Sequence, residues 1–278
     1  MSDNIENKVL TLTADHYENF PVASFLISHE IRKDIAIVYW FARTADDLAD
    51  EGDVSADERI NKLNDFENEL RMALQNQSQN KYFMSLNQTI IKRNLTSQYF
   101  FDLLSAFKQD VVKKRYKDFN EILDYCRRSA NPVGRIVLEI NNIKDDEVNK
   151  LSDKICTALQ LTNFYQDTII DYHKGRIYYP VDEMQIFNVD ENMFKLQKNN
   201  SQISQLVKYQ VDRTQLYYNE GKKILDHLNG RLKLEIKWTI SGGEKILSKI
   251  RKNNFDVFQK RPKLNKIDYI ALLLKSIL

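Results

Sequence analysis

The sequence predicts an all-α protein built from long helices. Apolar residues recur at three- and four-residue steps through most of the chain, as the buried face of a helix requires. Only 7 Gly and 4 Pro occur in 278 residues, against an average usage of roughly 12% for the two together, so tight turns are scarce. No segment shows the period-2 alternation of apolar and polar residues that is typical of a half-buried β-strand.

Four predicted helices fill the first part of the chain. They cover residues 28–51, 56–74, 82–93 and 96–113. Ser55 is the expected N-cap of the second helix, and Glu58 three residues later completes a capping box. Farther on, Pro132 and Gly134 stand inside a helical pattern that spans 119–140. Because Pro removes a backbone donor and clashes with the preceding turn, we expect this segment to break or kink.

The second part of the chain carries three longer helical patterns. A strong helix is predicted from about 147 through 172, ending at Gly175, and two others at about 200–228 and 231–252. Residues 176–200 are the least periodic and are predicted to form a long covering loop. No linker forces a division, and no repeat is present. We therefore expect a single domain over 1–278, an all-α helical bundle.

Composition excludes several classes of function. The chain has 41 Lys and Arg against 39 Asp and Glu, so its net charge gives no reason to expect a nucleic-acid partner. Cys126 and Cys156 lack the close spacing of a zinc site or a redox pair. They are expected to be buried free thiols in a reducing compartment.

The two ends of the chain indicate a cytoplasmic protein. The N-terminal residues 1–6 are acidic and lack the basic and apolar regions of a secretory signal. The apolar tail at 267–274 is shorter than the about 20 residues that cross a bilayer. It is expected to be a docked terminal helix, with at most peripheral contact to the inner face of the cell membrane.

A first acidic segment ends the first predicted helix. Asp46 and Asp50 are four residues apart, which places both carboxylates on one helix face about 5–6 Å apart. Their repulsion and the negative end of the helix dipole would both be offset by a cation. Carboxylate oxygens suit Mg²⁺, which commonly binds through one or two carboxylates and a substrate phosphate. A solvated acidic helix end is the alternative interpretation.

A second acidic segment repeats the spacing on another helix. Asn163, Asp167 and Asp171 form one polar stripe among apolar residues, and buried carboxylates need a counter-charge. Lys174 and Arg176 follow at once, and a role limited to capping the helix end is the alternative for them.

The duplication is more specific than either segment alone. Each acidic segment has an Arg beside it, Arg43 before the first and Arg176 after the second. Arg is suited to bidentate contact with phosphate, and the phenol of Tyr178 lies within short reach of the second segment. Together these features indicate Mg²⁺ that bridges to a diphosphate.

Three stretches carry a resemblance to a known family. They are Asp46–Asp50, Gln160–Asp171 and Gly175–Pro180. In these stretches, and over almost its whole length, the chain resembles the squalene/phytoene synthase family. Three others resemble the hydroxysqualene synthase branch of bacterial hopanoid pathways, namely His16–Ser24, Tyr125–Gly134 and Phe255–Phe258.

The resemblance implies a fold and a site. The fold would be the trans-isoprenyl diphosphate synthase type, with a central active-site cavity in which the two acidic segments face each other. Its catalytic Mg²⁺ ligands would be Asp46, Asp50, Asn163, Asp167 and Asp171. The candidate substrate-binding residues are His16, Asn19, Tyr39, Arg43, Gln160, Gln166, Lys174, Arg176 and Tyr178.

The resemblance also implies an activity, the Mg²⁺-dependent ionisation of presqualene diphosphate followed by rearrangement and capture of water. Head-to-head synthases commonly carry Arg where this chain has Gln166, and an aromatic residue where it has Arg127. Both departures favour water capture over a full two-step condensation. Aromatic side chains expected to stabilise the cation, or else to be plain core, are Phe20, Tyr39, Phe164 and Tyr165.

Two other functions are open to a chain of this family. One is a complete head-to-head enzyme that condenses farnesyl diphosphate to presqualene diphosphate, squalene or dehydrosqualene. The other is a non-catalytic assembly protein on the same fold, which intact acidic segments disfavour. The expected partners are an isoprenoid diphosphate and, by the same resemblance, other enzymes of the squalene pathway.

Overall fold

The computed structural model describes residues 28–259, 261–265, 267–269 and 271–272, without the side chain of His29. The described residues form helices and no β-strand, which confirms the predicted all-α class. The helices are α1 (His29–Asp50), α2 (Ala56–Leu74), α3 (Lys81–Arg93), α4 (Gln98–Val112), α5 (Phe119–Ser129), α6 (Asn131–Ile140), α7 (Asp146–Gln166), α8 (Thr168–His173), α9 (Val181–Ile186), α10 (Glu191–Leu196), α11 (Ser201–Gly221), a 3₁₀ turn (Lys222–Asp226) and α12 (Gly230–Lys252).

Contacts between Cα atoms divide the chain into two compact units. Of the described residues, the first unit contains those up to Val112 and Pro132–Asp145, and the second contains Lys113–Asn131 and those from Asp146 onward. The expectation of a single domain over 1–278 stays a prediction.

The first unit is built around aromatic packing between α1, α2 and α3. Trp40 stacks on Tyr82 with ring centroids 4.8 Å apart, and Phe66 meets Phe83 edge-on at 4.7 Å. Phe41 of α1 is fully buried among them. Offset and edge-on pairs of this kind add stability beyond the apolar area that they bury, so the core fixes the position of α1.

The second unit is built on α7, which packs against α11 and α12. The phenol of Tyr218 on α11 is fully buried and lies 3.0 Å from the hydroxyl of Thr162 on α7. That phenol lies directly over Gly243 of α12, where an added Cβ would come 2.0 Å from the Tyr218 oxygen. Glycine is therefore needed at 243 for the three helices to approach.

We expect Gly243→Ala to lower the free energy of unfolding by about 1–3 kcal/mol, the usual cost of overpacking a filled core. Gly242→Ala is the matched control, because a Cβ there would meet only Leu264, at an ordinary 3.7 Å. The control should be neutral or stabilising, since Gly inside a helix costs roughly 0.5–1 kcal/mol relative to Ala. Urea unfolding of both variants measures the difference, and equal stabilities would contradict the packing argument.

Two predicted segments in the second unit differ from the structure. The single helix expected over 147–172 is interrupted at Asp167, between α7 and α8. Residues 176–200 are not a continuous loop, since α9 and α10 lie within them. Both helices are six residues long, too short to show a clear 3.6-residue period.

Three further predictions concern the cap at Ser55, the break near Pro132 and the two cysteines. Ser55 accepts from the backbone N–H of Glu58 at 3.2 Å, but the Glu58 side chain pairs with Lys62 instead of completing the box. The helical pattern over 119–140 is interrupted at Ala130, just before Pro132, as expected. Both thiols are free, Cys126 buried and Cys156 half-buried.

Candidate active site

The first acidic segment is held at the C-terminal end of α1. The last turn of a helix leaves backbone carbonyls without helical partners, and Arg59 of α2 donates to three carbonyls in this turn and just beyond it. Its guanidinium donates to the carbonyls of Ala49, Glu51 and Gly52 at 3.1, 2.8 and 2.6 Å. The turn that carries Asp46 and Asp50 is therefore fixed by a neighbouring helix.

Arg43 lies along the acidic face of α1, as predicted. Its guanidinium is 3.3 Å from Asp46, 2.7 Å from Asp47 and 3.1 Å from Glu51. Tyr39 lies one turn earlier, and burial raises the pKa of its phenol, against a smaller opposing effect of Arg43. The candidate residues of the first segment thus form one group with a cation at its centre.

The carboxylate of Asp46 lies in an unfavourable electrostatic environment. Burial, and then the charge of Asp50, raises the pKa of Asp46 to about 6. Its side chain nevertheless keeps 44% of its surface exposed. Because the carboxylate is crowded by a like charge on its own helix face, a nearby cation would lower this pKa, and oxygen donors in this arrangement suit a hard cation.

We expect Asp46→Asn to raise the free energy of unfolding more at pH 7 than at pH 4.5 in protein stripped of divalent cations. A carboxyl whose pKa is higher folded than unfolded binds its proton better in the folded state, so stability falls as the pH rises from about 4 to about 6. Asn removes this loss. Urea titrations at the two pH values provide the test, and an equal gain at both would contradict the raised pKa.

The second acidic segment crosses the bend between α7 and α8. Asp167 departs from helical geometry at φ −105° and ψ 16°, yet its N–H still bonds the carbonyl of Asn163 at 2.8 Å, and that of Asp171 bonds Asp167 at 2.9 Å. The Thr168 hydroxyl lies 3.2 Å from the carbonyls of Phe164 and Tyr165, a contact that often bends helices. The predicted four-residue register therefore survives the bend.

The backbone of Arg176 is hydrogen-bonded to that of Asp171 where α8 ends. Gly175 adopts a φ of +76°, a conformation that glycine adopts without strain. The N–H of Arg176 bonds the carbonyl of Asp171 and that of Gly175 bonds Tyr172, both at 2.8 Å, which is the Schellman pattern. The backbone itself ends the helix, so capping does not account for the buried side chain of Arg176.

A small cleft brings charged and aromatic side chains of the second segment together. It is lined by Phe164, Thr168, Asp171, Arg176, Ile177, Tyr178, Tyr179 and Phe194. Phe164 and Tyr178 stack with centroids 3.8 Å apart and planes 8° from parallel. Tyr116 and Tyr125, which the sequence did not single out, contact Tyr178 from other sides at 5.5 and 6.0 Å.

Two of the predicted aromatic walls have different surroundings. Tyr165 is fully buried and donates to Gln210 at 3.0 Å, so it belongs to the core, the alternative left open for it. Burial raises the pKa of its phenol. Phe164 lines the cleft, whereas Phe20 lies outside the described residues, as do His16 and Asn19.

Asp167 and Gln166 both contact a segment near the end of the described chain. Arg261 donates to both oxygens of Asp167, from Nε to Oδ1 and from Nη2 to Oδ2 at 3.0 Å. Gln166 donates to the carbonyl of Pro262 at 2.7 Å. Arg261 was missed in the sequence, because no periodicity or motif links a cation to an acid 94 residues away.

The remaining candidates are dispersed. Gln160 is half-buried on α7, and Lys174 is exposed at the end of α8. Arg127 is exposed and pairs with Asp124 at 2.7 Å, not with any described residue of the second acidic segment.

The expected Mg²⁺ ligands of the two acidic segments are all oxygen donors. No three His, Cys, Asp or Glu side chains within the part of the chain that the structure describes come together as metal ligands. The donor chemistry still fits, because two carboxylates in the first segment and two carboxylates with an amide in the second offer only hard oxygen ligands. The metal role of both segments, and their facing arrangement, stay predictions.

Comparison with known proteins decides the family. The family model for squalene/phytoene synthase matches residues 13–268. The chain belongs to the squalene/phytoene synthase family. Its relatives in that family are enzymes that act on isoprenoid diphosphates.

Several relatives of this synthase are named hydroxysqualene synthase. Those from Sinorhizobium fredii and Rhodopseudomonas palustris are 30% and 31% identical over 91% of this chain and 85% of their own lengths. One from Zymomonas mobilis is 43% identical over 60% of this chain. That alignment spans only 56% of the relative.

Solved structures support the fold. Squalene synthase HpnC from Alicyclobacillus acidocaldarius superposes with a TM-score of 0.85 at 35% identity, covering 91% of this chain and 95% of its own. A dehydrosqualene synthase in complex with ligand has a TM-score of 0.89 at 20% identity, over 99% and 96% of the two chains. This synthase has the all-α isoprenoid synthase fold. None of its described helices combines the length and the apolar character needed to cross a membrane.

Proposed function

We propose that this synthase is a hydroxysqualene synthase. It ionises presqualene diphosphate, rearranges the resulting carbocation and captures water, releasing hydroxysqualene and diphosphate. The carbon–oxygen bond breaks with its electron pair leaving on the diphosphate, and the proton lost from the captured water balances the reaction. Mg²⁺, when bound by Asp46, Asp50, Asn163, Asp167 and Asp171, would neutralise the departing diphosphate.

The observation that carries the proposal is the composition of the cleft in the second unit. Asp171 and Arg176 line it together with the stacked rings of Phe164 and Tyr178. Arg176 is suited to a bidentate contact with a phosphate group. An aromatic face stabilises a carbocation by about 0.5–2 kcal/mol for each ring, and these two rings would have to separate from their stack to offer the faces that now cover each other. An ionising isoprenoid diphosphate presents an anionic diphosphate and a carbocation, and these are the two groups that such a cleft would have to contact.

The branch of the family is supported by sequence. Relatives named hydroxysqualene synthase align over most of this chain, and the departures at Gln166 and Arg127 favour water capture. Gln166 donates to a backbone carbonyl and Arg127 pairs with Asp124. Gln166 therefore supplies no guanidinium for a diphosphate, and Arg127 supplies no aromatic wall. The cytoplasmic location, a peripheral membrane contact and a link to other enzymes of squalene or hopanoid synthesis belong to the same proposal.

A complete head-to-head synthase is the second candidate, because the solved structure at 35% identity is described as a squalene synthase. Product analysis separates the two. Purified protein with Mg²⁺ and presqualene diphosphate should release hydroxysqualene, without a nicotinamide reductant. Conversion of farnesyl diphosphate into presqualene diphosphate or dehydrosqualene, or into squalene when a hydride donor is supplied, would instead identify the second candidate.

A further inference from the structure

The ion pair between Arg261 and Asp167 uses both oxygens of the carboxylate. The two side chains keep only 25% and 14% of their surfaces exposed. Bidentate Arg–carboxylate pairs are among the stronger charge-assisted contacts, and limited exposure reduces their screening by solvent. A divalent cation that needs an Asp167 oxygen therefore has to compete with a cation that already holds it.

Hydrogen bonds and an aromatic contact hold the backbone on the N-terminal side of Arg261 in place. The carboxylate of Asp256 accepts from the N–H groups of Phe258 and Gln259 at 2.9 and 3.3 Å. The ring of Phe258 packs edge-on against Phe194, with centroids 5.7 Å apart. Phe194 also lines the cleft described above, so this anchor belongs to the same part of the second unit.

The backbone on the C-terminal side is held in place as well. Asn265 and Asp268 cap each other, each accepting the other's N–H at 2.8 and 2.9 Å. Asp268 also pairs with Lys249 at 2.6 Å and Lys245 at 3.3 Å, both on α12. With anchors on either side, the guanidinium of Arg261 can change partners by side-chain rotation while the surrounding segment stays in place.

We propose that Arg261 is a placeholder cation for the second acidic segment. It holds Asp167 until a divalent cation arrives together with a diphosphate, and its guanidinium then transfers to the diphosphate oxygens. This inference rests on the proposed metal role of Asp167. Displacement by a metal alone would break this bidentate, charge-assisted pair of a half-buried guanidinium, which is costly. A diphosphate supplies replacement oxygen acceptors in a geometry that Arg favours.

The placeholder makes binding of metal and diphosphate cooperative. A metal alone loses part of its binding free energy in breaking the Arg261–Asp167 pair, whereas a metal with diphosphate recovers it. The coupling is reciprocal, so diphosphate should tighten metal binding by the same factor by which metal tightens diphosphate binding.

The experiment measures Mn²⁺ binding to the full chain from the electron paramagnetic resonance signal of free Mn²⁺, with and without inorganic diphosphate. Arg261→Gln should bind Mn²⁺ alone about tenfold more tightly than wild type, the size expected for one charge-assisted pair. It should also lose about tenfold of the enhancement that diphosphate gives. Mn²⁺ that Asp167→Asn still binds belongs to other sites and is subtracted.

Three variants separate the placeholder from other effects of Arg261. Arg261→Lys keeps the charge and should behave more like wild type. Lys208→Gln removes an exposed cation that pairs with Asp212 and should leave Mn²⁺ binding unchanged. In an Asp167→Asn background, Arg261→Gln should no longer alter Mn²⁺ affinity, because the carboxylate ligand for which Arg261 competes is already absent.

The outcomes distinguish this inference from the proposed function. If Asp167→Asn loses Mn²⁺ but Arg261→Gln binds it as wild type does, the placeholder is refuted and the metal role stands. If wild type and Asp167→Asn bind Mn²⁺ equally in the presence of diphosphate, both are refuted. An Arg261→Gln effect of the same size in the Asp167→Asn background would refute the placeholder and indicate a long-range charge effect.

Discussion

Replacing Asp167 with Asn is expected to lower kcat by about 10²–10³-fold while the fold is retained. The carboxylate is proposed as a ligand of the catalytic metal, and metal-assisted charge stabilisation is worth several kcal/mol of the activation barrier. Each 1.36 kcal/mol corresponds to about a tenfold change in rate. Asn keeps an oxygen that can accept from Arg261, so folding should not suffer.

Product formation from presqualene diphosphate under saturating Mg²⁺ gives the rate, and circular dichroism checks the fold. Asp226→Asn is the matched control, because Asp226 is an exposed carboxylate in the 3₁₀ turn of the same unit. It should turn over like wild type. Wild-type turnover by Asp167→Asn would remove Asp167 from the metal site.

Replacing Arg213 with Met is expected to lower the free energy of unfolding by about 3 kcal/mol, at the lower end of the cost of leaving one buried charge without its partner. Arg213 pairs with the buried carboxylate of Glu183, with one contact at 2.9 Å. Its guanidinium also lies 3.4 Å from the centre of the Phe119 ring. The same group includes Gln210, which accepts from Tyr165 on α7.

A double mutant tests that reason. Glu183→Gln in the Arg213→Met background removes the orphaned charge and should recover part of the lost stability, a positive coupling between the two sites. Arg251→Met, which breaks a half-exposed pair with Asp212 at 3.4 Å, should cost less than about 1 kcal/mol. Simple additivity of the two buried substitutions would contradict a role for the unpaired charge.

The sequence predicted long helices well because their apolar periods are strong. The 22 residues of α1 lie within one residue of the expected bounds at each end, and the aromatic core behind them explains why the pattern is clear. Leu216 shows that an apolar residue in a helical pattern need not be buried. It lies in the pattern predicted at about 200–228, yet 59% of its surface is exposed.

Features set by tertiary contacts were not predictable. The bend at Asp167 depends on the hydroxyl of Thr168, which also lies 2.9 Å from the hydroxyl of Tyr179, a partner that local periodicity does not reveal. Residues 114–117 bind the backbone of 175–182, for example Lys114 with Ile177 at 3.1 Å. These contacts give shape to a stretch that reads as an aperiodic loop.

The candidate site was predicted unevenly for the same reason. Spacing identified the acidic stripe, because positions four residues apart share a helix face whatever surrounds them. The counter-charge of Asp167 came instead from Arg261, far along the chain. Distance in sequence hides such partners, and only the folded chain reveals that an expected metal ligand is already paired.

In the proposed reaction, the carbon–oxygen bond of presqualene diphosphate ionises and water captures the carbocation. Turnover in water labelled with oxygen-18, followed by mass spectrometry of both products, tests this sequence of steps directly. We expect one labelled oxygen in hydroxysqualene and none in the released diphosphate. Label in the diphosphate with an unrearranged alcohol, or an unlabelled C30 hydrocarbon, would contradict the proposed reaction.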